Sequence, residues 1–166
     1  MAVLHIFDFD DTHVRSEAVI YLIRPDGTRE ALTSEEYAQY HPRGDEEFDF
    51  DEFDVYPADA QIIDDVFDEL KTAVARDGLD SVAILTARSE EEPVRQFMAD
   101  NGVLGIEVRA TGTSNPMAKA LYVLGRLKDG EFDAVRLFED NPENIQAIGR
   151  VLAPLDVEFE PHLIPH

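Results

Sequence analysis

The chain of 166 residues carries 36 acidic against 14 basic side chains, a formal net charge of −22, with 44% hydrophobic residues and no cysteine. That length suits one domain with a buried core. The missing thiols exclude disulfides, thiolate metal centres and cysteine nucleophiles, and the negative field opposes stable binding to nucleic acid or to an anionic membrane.

No apolar run approaches the roughly 20 residues that span a bilayer. The opening MAVLHIFDFDD lacks a charged start and a long apolar stretch, so a cytoplasmic location is expected.

Val3 to Phe7 reads as a short buried strand that runs into a cluster of acids. Residues 18–24 and 28–33 flank Pro25-Asp26-Gly27, where Asp-Gly predicts a hairpin turn. Thr33-Ser34-Glu35-Glu36 has the spacing of a capping box and opens a short helix through about Tyr40. The stretch 41–54 has no helical period; its aromatic residues alternate with acids, and it is read as an irregular insert over the domain. Beyond Pro57, Ile62, Ile63, Val66, Phe67, Leu70 and Val74 share one helical face, with Gly78 as the stop.

From there strands and helices alternate. Residues 81–85 form a strand, and Ser89 with Glu92 caps a helix to about Asn101. Ile106–Arg109 is a short strand, and Asn115-Pro116 opens a helix to about Lys128. Ala134–Phe138 is a strand, Asn141-Pro142 opens a helix to about Leu152, and Asp156–Phe159 is a last strand. Repeated strand–helix units imply an α/β fold: a parallel sheet covered by helices on both faces, spanning 1–166 as one domain. Ligands in such folds bind beyond the carboxyl ends of the strands. That rule selects Asp8–Thr12, Thr86–Arg88, Ala110–Asn115 and Glu139–Asn144.

Asp8-Phe9-Asp10-Asp11-Thr12 follows the first strand directly. In so acidic a chain a bare D-x-D-x-[TV] is expected by chance about 0.3 times, so position rather than pattern gives it weight. Two carboxylates two residues apart at a strand end can point into one site, one attacking and one managing protons. Thr86 ends an apolar strand with a hydroxyl suited to a phosphoryl oxygen. Lys119, one of only three lysines, lies in the first turns of a helix, where backbone N–H groups already favour anions. Glu139-Asp140 is an acidic pair at a strand end, and Asn141 already supplies the next helix cap. Two further carboxylates beside Asp8 repel strongly unless a cation lies between them.

DFDDT at 8–12, ILTAR at 84–88, Lys119 and FEDN at 138–141 resemble, in order and spacing, the four motifs of the haloacid-dehalogenase-like phosphatase superfamily. The resemblance covers roughly residues 3 to 150. It implies a three-layer Rossmann-like sheet with a β-hairpin flap and a small cap insert within 18–56. It implies that Asp8 forms an aspartyl-phosphate, that Asp10 is the general acid/base, and that Thr86, Ala87, Arg88 and Lys119 hold the phosphorylated substrate. Mg²⁺ would be bound by the Asp8 carboxylate, the Asp10 backbone carbonyl and Asp140, with Glu139 binding directly or through water. An acid at Asp10 favours phosphatase over dehalogenase chemistry. His13 stands where the family usually has an apolar residue, and it is expected at the pocket entrance, on the surface or at a strand end.

The wording ILTAR and FEDN with a small cap is also similar to the phosphatase halves of polynucleotide-repair enzymes and to small phage proteins of this superfamily. Substrates in view are therefore a small phosphomonoester, a phosphoprotein, a nucleotide or a nucleic-acid end phosphate. Arg15, Arg24, Arg29, Arg43 and Arg88 are candidates for a basic rim. Two other classes compete: a catalytically silent binding protein on the same fold, and a receiver-like phospho-acceptor module. In a receiver the acidic pair comes at the first strand and the acceptor on a middle one, the reverse of the order here.

Overall fold

The computed structural model describes residues 2–165. In chain order the elements are β1 (Val3–Phe7), β2 (Val14–Arg15), β3 (Val19–Ile23), β4 (Arg29–Thr33), α1 (Ser34–Gln39), β5 (Glu47–Asp49), β6 (Gln61–Ile62), α2 (Asp64–Asp77), β7 (Val82–Thr86), α3 (Glu92–Asp100), β8 (Glu107–Ala110), α4 (Pro116–Leu127), β9 (Ala134–Glu139), α5 (Pro142–Leu152) and β10 (Glu158–Leu163). Five strands form one sheet in the order β10-β9-β1-β7-β8, and every pairing in it is parallel.

Strands covered on both faces must be apolar on both, and β1, β7 and β9 are nearly continuous apolar runs for that reason. Leu4, Ile6, Ala83, Leu85, Val135 and Leu137 pack with residues of α4 and α5. The alternate positions Phe7, Val82, Ile84 and Phe138 pack with residues of α2 and α3. The result is a three-layer α/β/α arrangement. The chain builds outward from β1 through β7 to β8, then returns past β1 to add β9 and β10. Strand order therefore reverses beside β1, which puts the ligand crevice at the carboxyl ends of β1 and β9.

Phe7, Phe138 and His162 are register partners on three adjacent strands. Their rings stack at 4.6 Å on each side of Phe138, nearly parallel at 1° and 7°. Asp8 and Glu139 directly follow two of these rings, so the stack fixes the two acidic strand tips side by side. Each such aromatic pair contributes about 0.5–1.5 kcal/mol beyond area burial.

Local signals hold at most of the caps. Thr33 accepts from Glu36 N–H at 3.1 Å while the Glu36 carboxylate accepts from Thr33 N–H at 3.0 Å, closing the box. Asn115 and Asn141 accept from Met117 and Glu143 N–H at 3.0 and 2.9 Å. The helix expected to be capped by Ser89 instead begins at Glu92 without a side-chain cap. Glu91, the residue before it, turns its carboxylate to the Ala110 N–H at 3.0 Å and ties the helix start to β8.

The stretch expected to be irregular is partly ordered as a strand. β5 pairs with β3, so β4-β3-β5 make a three-stranded antiparallel sheet, and Asp51–Phe53 follow as a 3₁₀ turn. The alternation of aromatic and acid there is the period-2 pattern of a half-buried strand. At the hairpin tip Gly27 takes φ +86° and its N–H bonds the Arg24 carbonyl at 2.9 Å, a backbone conformation that favours glycine. β2 and β6 pair over two residues each and close the base of this insert. Ile62 thereby goes to a strand, and α2 starts at Asp64. β10 lies later than expected, and its Pro161 is tolerated because the strand is at a sheet edge. Among the described residues no helix is long and apolar enough to cross a membrane.

His13 lies at a strand end, directly before β2, and neither lines the cleft nor reaches the surface. It is 0% exposed, with its ring 6.0 Å from Phe9 and 5.0 Å from Phe67. Neither ring nitrogen has a hydrogen-bond partner among the described residues. Burial lowers its pKa from 6.5 to about 4. The unfolded chain therefore binds a proton here between those values that the native state refuses, so stability falls as pH drops through that window. The expected loss attributable to His13 between neutral pH and pH 4 is about 3 kcal/mol. Denaturant unfolding of a His13→Leu variant across that range should show a flatter pH dependence than the parent and no loss of stability at neutral pH.

Candidate active site

The loop after β1 is built around a buried ring. Phe9 is fully buried, and its carbonyl accepts N–H bonds from Thr12, His13 and Val14 at 3.3, 2.8 and 3.1 Å. Strand alternation then leaves Asp8 and Asp10 on the side away from Phe9. Asp11 takes φ +62°, the only positive φ among the described non-glycine residues, and its carboxylate accepts from the Ser34 hydroxyl of α1. Acidic residues tolerate this left-handed turn better than most.

Asp8, Glu139 and Asp140 converge at the tips of β1 and β9, each offering an oxygen within 4.8 Å of the others. Lys119, reaching from α4 and only 4% exposed, donates to Asp8 Oδ1 at 2.9 Å and Glu139 Oε2 at 3.2 Å. The Thr12 hydroxyl lies 3.1 Å from Asp8 Oδ2 and 3.2 Å from Asp140 Oδ1. It has one proton for two acceptors. Asn144, in the first turns of α5, donates its amide to the other oxygen of Glu139.

Fully ionised, three carboxylates against one ammonium leave a local charge of −2. The proton affinities respond to that excess. Burial raises the Glu139 carboxyl to about 8, with the Asp8 charge adding to it and Lys119 opposing it. Burial and the Asp8 charge raise Asp140 to about 10. Burial works against the charge of Asp8 too, but the Lys119 ammonium and hydrogen bonds from Asp140 and Lys119 hold its carboxyl below the usual range. Burial alone would weaken the hold of Lys119 on its proton; Asp8 and Glu139 reverse that and push it up. Asp8 is thus the anion of the cluster. A hard divalent cation among three oxygens at this spacing would discharge the other two acids.

Asp10 lies outside this cluster. Arg88 grips its carboxylate with two parallel bonds, Nε to Oδ2 and Nη2 to Oδ1, both 2.8 Å. The remaining Arg88 nitrogen donates to the carbonyls of Phe53 and Val55 at 2.8 and 3.3 Å, and the guanidinium lies over the rings of Phe9 and Phe53. Burial raises the Asp10 carboxyl, and Arg88 opposes the rise. The sequence predicts Arg88 on the substrate; four of its five guanidinium N–H groups go to Asp10 and the insert.

These groups open into one cleft of about 590 Å³. Asp8, Asp10, Thr86, Ala87, Arg88, Lys119, Glu139 and Asp140 all line it, so the four strand ends selected from sequence do meet. The Thr86 hydroxyl accepts the Arg88 N–H at 3.2 Å and keeps its own proton for another acceptor. None of Arg15, Arg24, Arg29 and Arg43 lines the cleft; Arg24 pairs with Glu30, Arg29 with Asp49, and Arg15 reaches the Pro165 carbonyl. Sequence reasoning gave no role to Thr12 or Asn144, and none to the Arg88–Asp10 pair. Thr12 closes the D-x-D-x-T pattern that follows β1, and its place in that pattern is the signal that marks it.

Comparison with family models, with curated proteins and with solved structures finds no match to this chain.

The raised Glu139 and Asp140 make a testable sign. Without a cation the native state keeps protons that the unfolded chain has lost, so stability falls as pH rises toward and through about 8. His13 contributes nothing to the slope above its unfolded value of 6.5. Thermal melts of the metal-free protein should therefore drop from about pH 7 to about pH 9, and millimolar Mg²⁺ should reverse the drop. Asp140→Asn should shrink the Mg²⁺-induced shift. Melting curves indifferent to Mg²⁺ at the higher pH would mean that the three acids hold no cation.

Proposed function

We propose that the chain is a Mg²⁺-dependent phosphomonoester hydrolase of the haloacid-dehalogenase-like type, acting through Asp8. The observation that carries this reading is the meeting of Asp8, Glu139 and Asp140, the first two bonded by the Lys119 ammonium, at the strand tips where chain order reverses. A phosphate ester enters a place that already holds one anion prepared to attack and a charge deficit suited to a cation.

Asp8 is the nucleophile: its carboxylate oxygen bonds to phosphorus as the ester P–O bond breaks, and Asp10 gives its proton to the departing alkoxide. Water then attacks the aspartyl-phosphate, Asp10 recovers a proton from it, and inorganic phosphate leaves with Asp8 restored. Splitting the transfer in two avoids a single difficult displacement. Mg²⁺ held by Asp8, Asp140 and the Asp10 carbonyl, with Glu139 beside them, would supply the positive charge that lets a phosphate approach a carboxylate. Lys119 fixes the orientation of Asp8 and keeps it ionised. Thr86 offers its hydroxyl, and Ala87 the adjoining cleft wall, to a phosphoryl oxygen. Arg88 fixes the position of Asp10, and burial raises that carboxyl toward the protonated form that the first step uses.

Release of phosphate from an aryl phosphate should require Mg²⁺ and stop with EDTA. Asp8→Asn should reduce it to background, while Asp10→Asn should lower kcat by about 10²- to 10⁴-fold, the usual worth of a general acid/base. Undiminished turnover by the Asp8 variant would remove this mechanism.

A further inference from the structure

The cleft has walls of very different chemistry. From the insert come Tyr37, Tyr40 and Phe50. Phe50 is 36% exposed, large for an aromatic ring beside a buried centre. The three are set by a cluster of edge-on contacts: Tyr37 stands 5.2 Å from Phe48 and 5.3 Å from Phe50, and Tyr40 stands 6.0 Å from Phe48. The Tyr37 hydroxyl lies 3.2 Å from Ser114 Oγ, which joins the aromatic wall to the loop leading into the helix of Lys119. That wall is therefore held in a fixed relation to the phosphoryl end of the cleft.

Charge in the cleft is as informative as its rings. Its cationic side chains among the described residues are Arg88 and Lys119, and both are already bonded to carboxylates. Seven acids share the lining with them. A ligand with several phosphates would find one place to be neutralised and repulsion elsewhere. An uncharged planar group would find rings, for which stacking needs no counter-charge.

Resting on the phosphomonoesterase reading, we propose that the substrate class is a small monoester with a single phosphate and an uncharged aromatic ring, stacked on the wall of Tyr37, Tyr40 and Phe50. The ring belongs to an aryl alcohol or to a nucleoside; polyphosphates and oligonucleotide ends are excluded by the acidic lining. Base-on-ring stacking of about 1–3 kcal/mol favours such esters by about 5- to 150-fold.

The test compares kcat/KM for benzyl phosphate, whose leaving alkoxide matches that of an aliphatic ester, a nucleoside 5′-monophosphate, glycerol phosphate, a nucleoside triphosphate and a 3′-phosphorylated oligonucleotide, all with Mg²⁺. At least one of the first two should exceed glycerol phosphate about tenfold or more, and which one does so separates an aryl from a nucleoside source. In a Tyr37→Ala, Phe50→Ala double variant the ratio of aromatic to aliphatic ester should fall toward one. Equal rates on aromatic and aliphatic esters would overturn the proposal, as would a preference for the triphosphate or the oligonucleotide. Calorimetry on Asp8→Asn with the same compounds reads the stacking without turnover. Hydrolysis of none of them would defeat the phosphatase reading, whereas the calorimetric order of affinities would still decide for or against the aromatic wall.

Discussion

One buried ammonium holds the centre of this molecule together. Lys119 crosses from α4 to the tips of β1 and β9 and bonds two carboxylates there. Removing one partner from such a buried group commonly costs about 3–5 kcal/mol, because the survivors keep their charge away from water. The cost is accepted here in an unbalanced form, with three acids facing one base. A site arranged for stability alone would close the account with a second base or with apolar side chains. The imbalance leaves Asp8, Glu139 and Asp140 an excess of negative charge that a cation could offset.

The core and the site are made by the same residues in alternation. Phe7 and Phe138 stack across neighbouring strands, and the next residue of each strand is an acid of the cluster. Phe9, between two acids, is the buried peg around which the following loop turns. Apolar packing thus sets carboxylate positions to within the tolerance that charge pairing needs, since close-packed interiors do not deform continuously.

Much of this was legible from the order of residues. Apolar runs announced β1, β7 and β9, and Asn-Pro announced α4 and α5, because those signals are local. The positions selected at strand ends do share one cleft, because strand order and the parallel rule confine them there. Other features carried no local mark. β2 and β6 are two residues each, too short for periodicity. β5 showed its period but was masked by acids unusual in a strand. The Arg88–Asp10 pair joins residues 78 apart, and nothing in either neighbourhood names the other. His13 sits in an apolar slot among Phe9 and Phe67, a tertiary environment that its polar type argues against.

Arg88 has a further bearing on how the insert behaves. Its guanidinium is shared between Asp10 and the carbonyls of Phe53 and Val55, and its side chain is almost wholly shielded from water. Lifting the 53–55 segment would strand part of a buried cation, at about 1–3 kcal/mol for each lost bond. The insert is consequently pinned as a stationary wall at that end rather than swinging as a door. The outline of the cleft at that end is therefore set by packing that has no need to move.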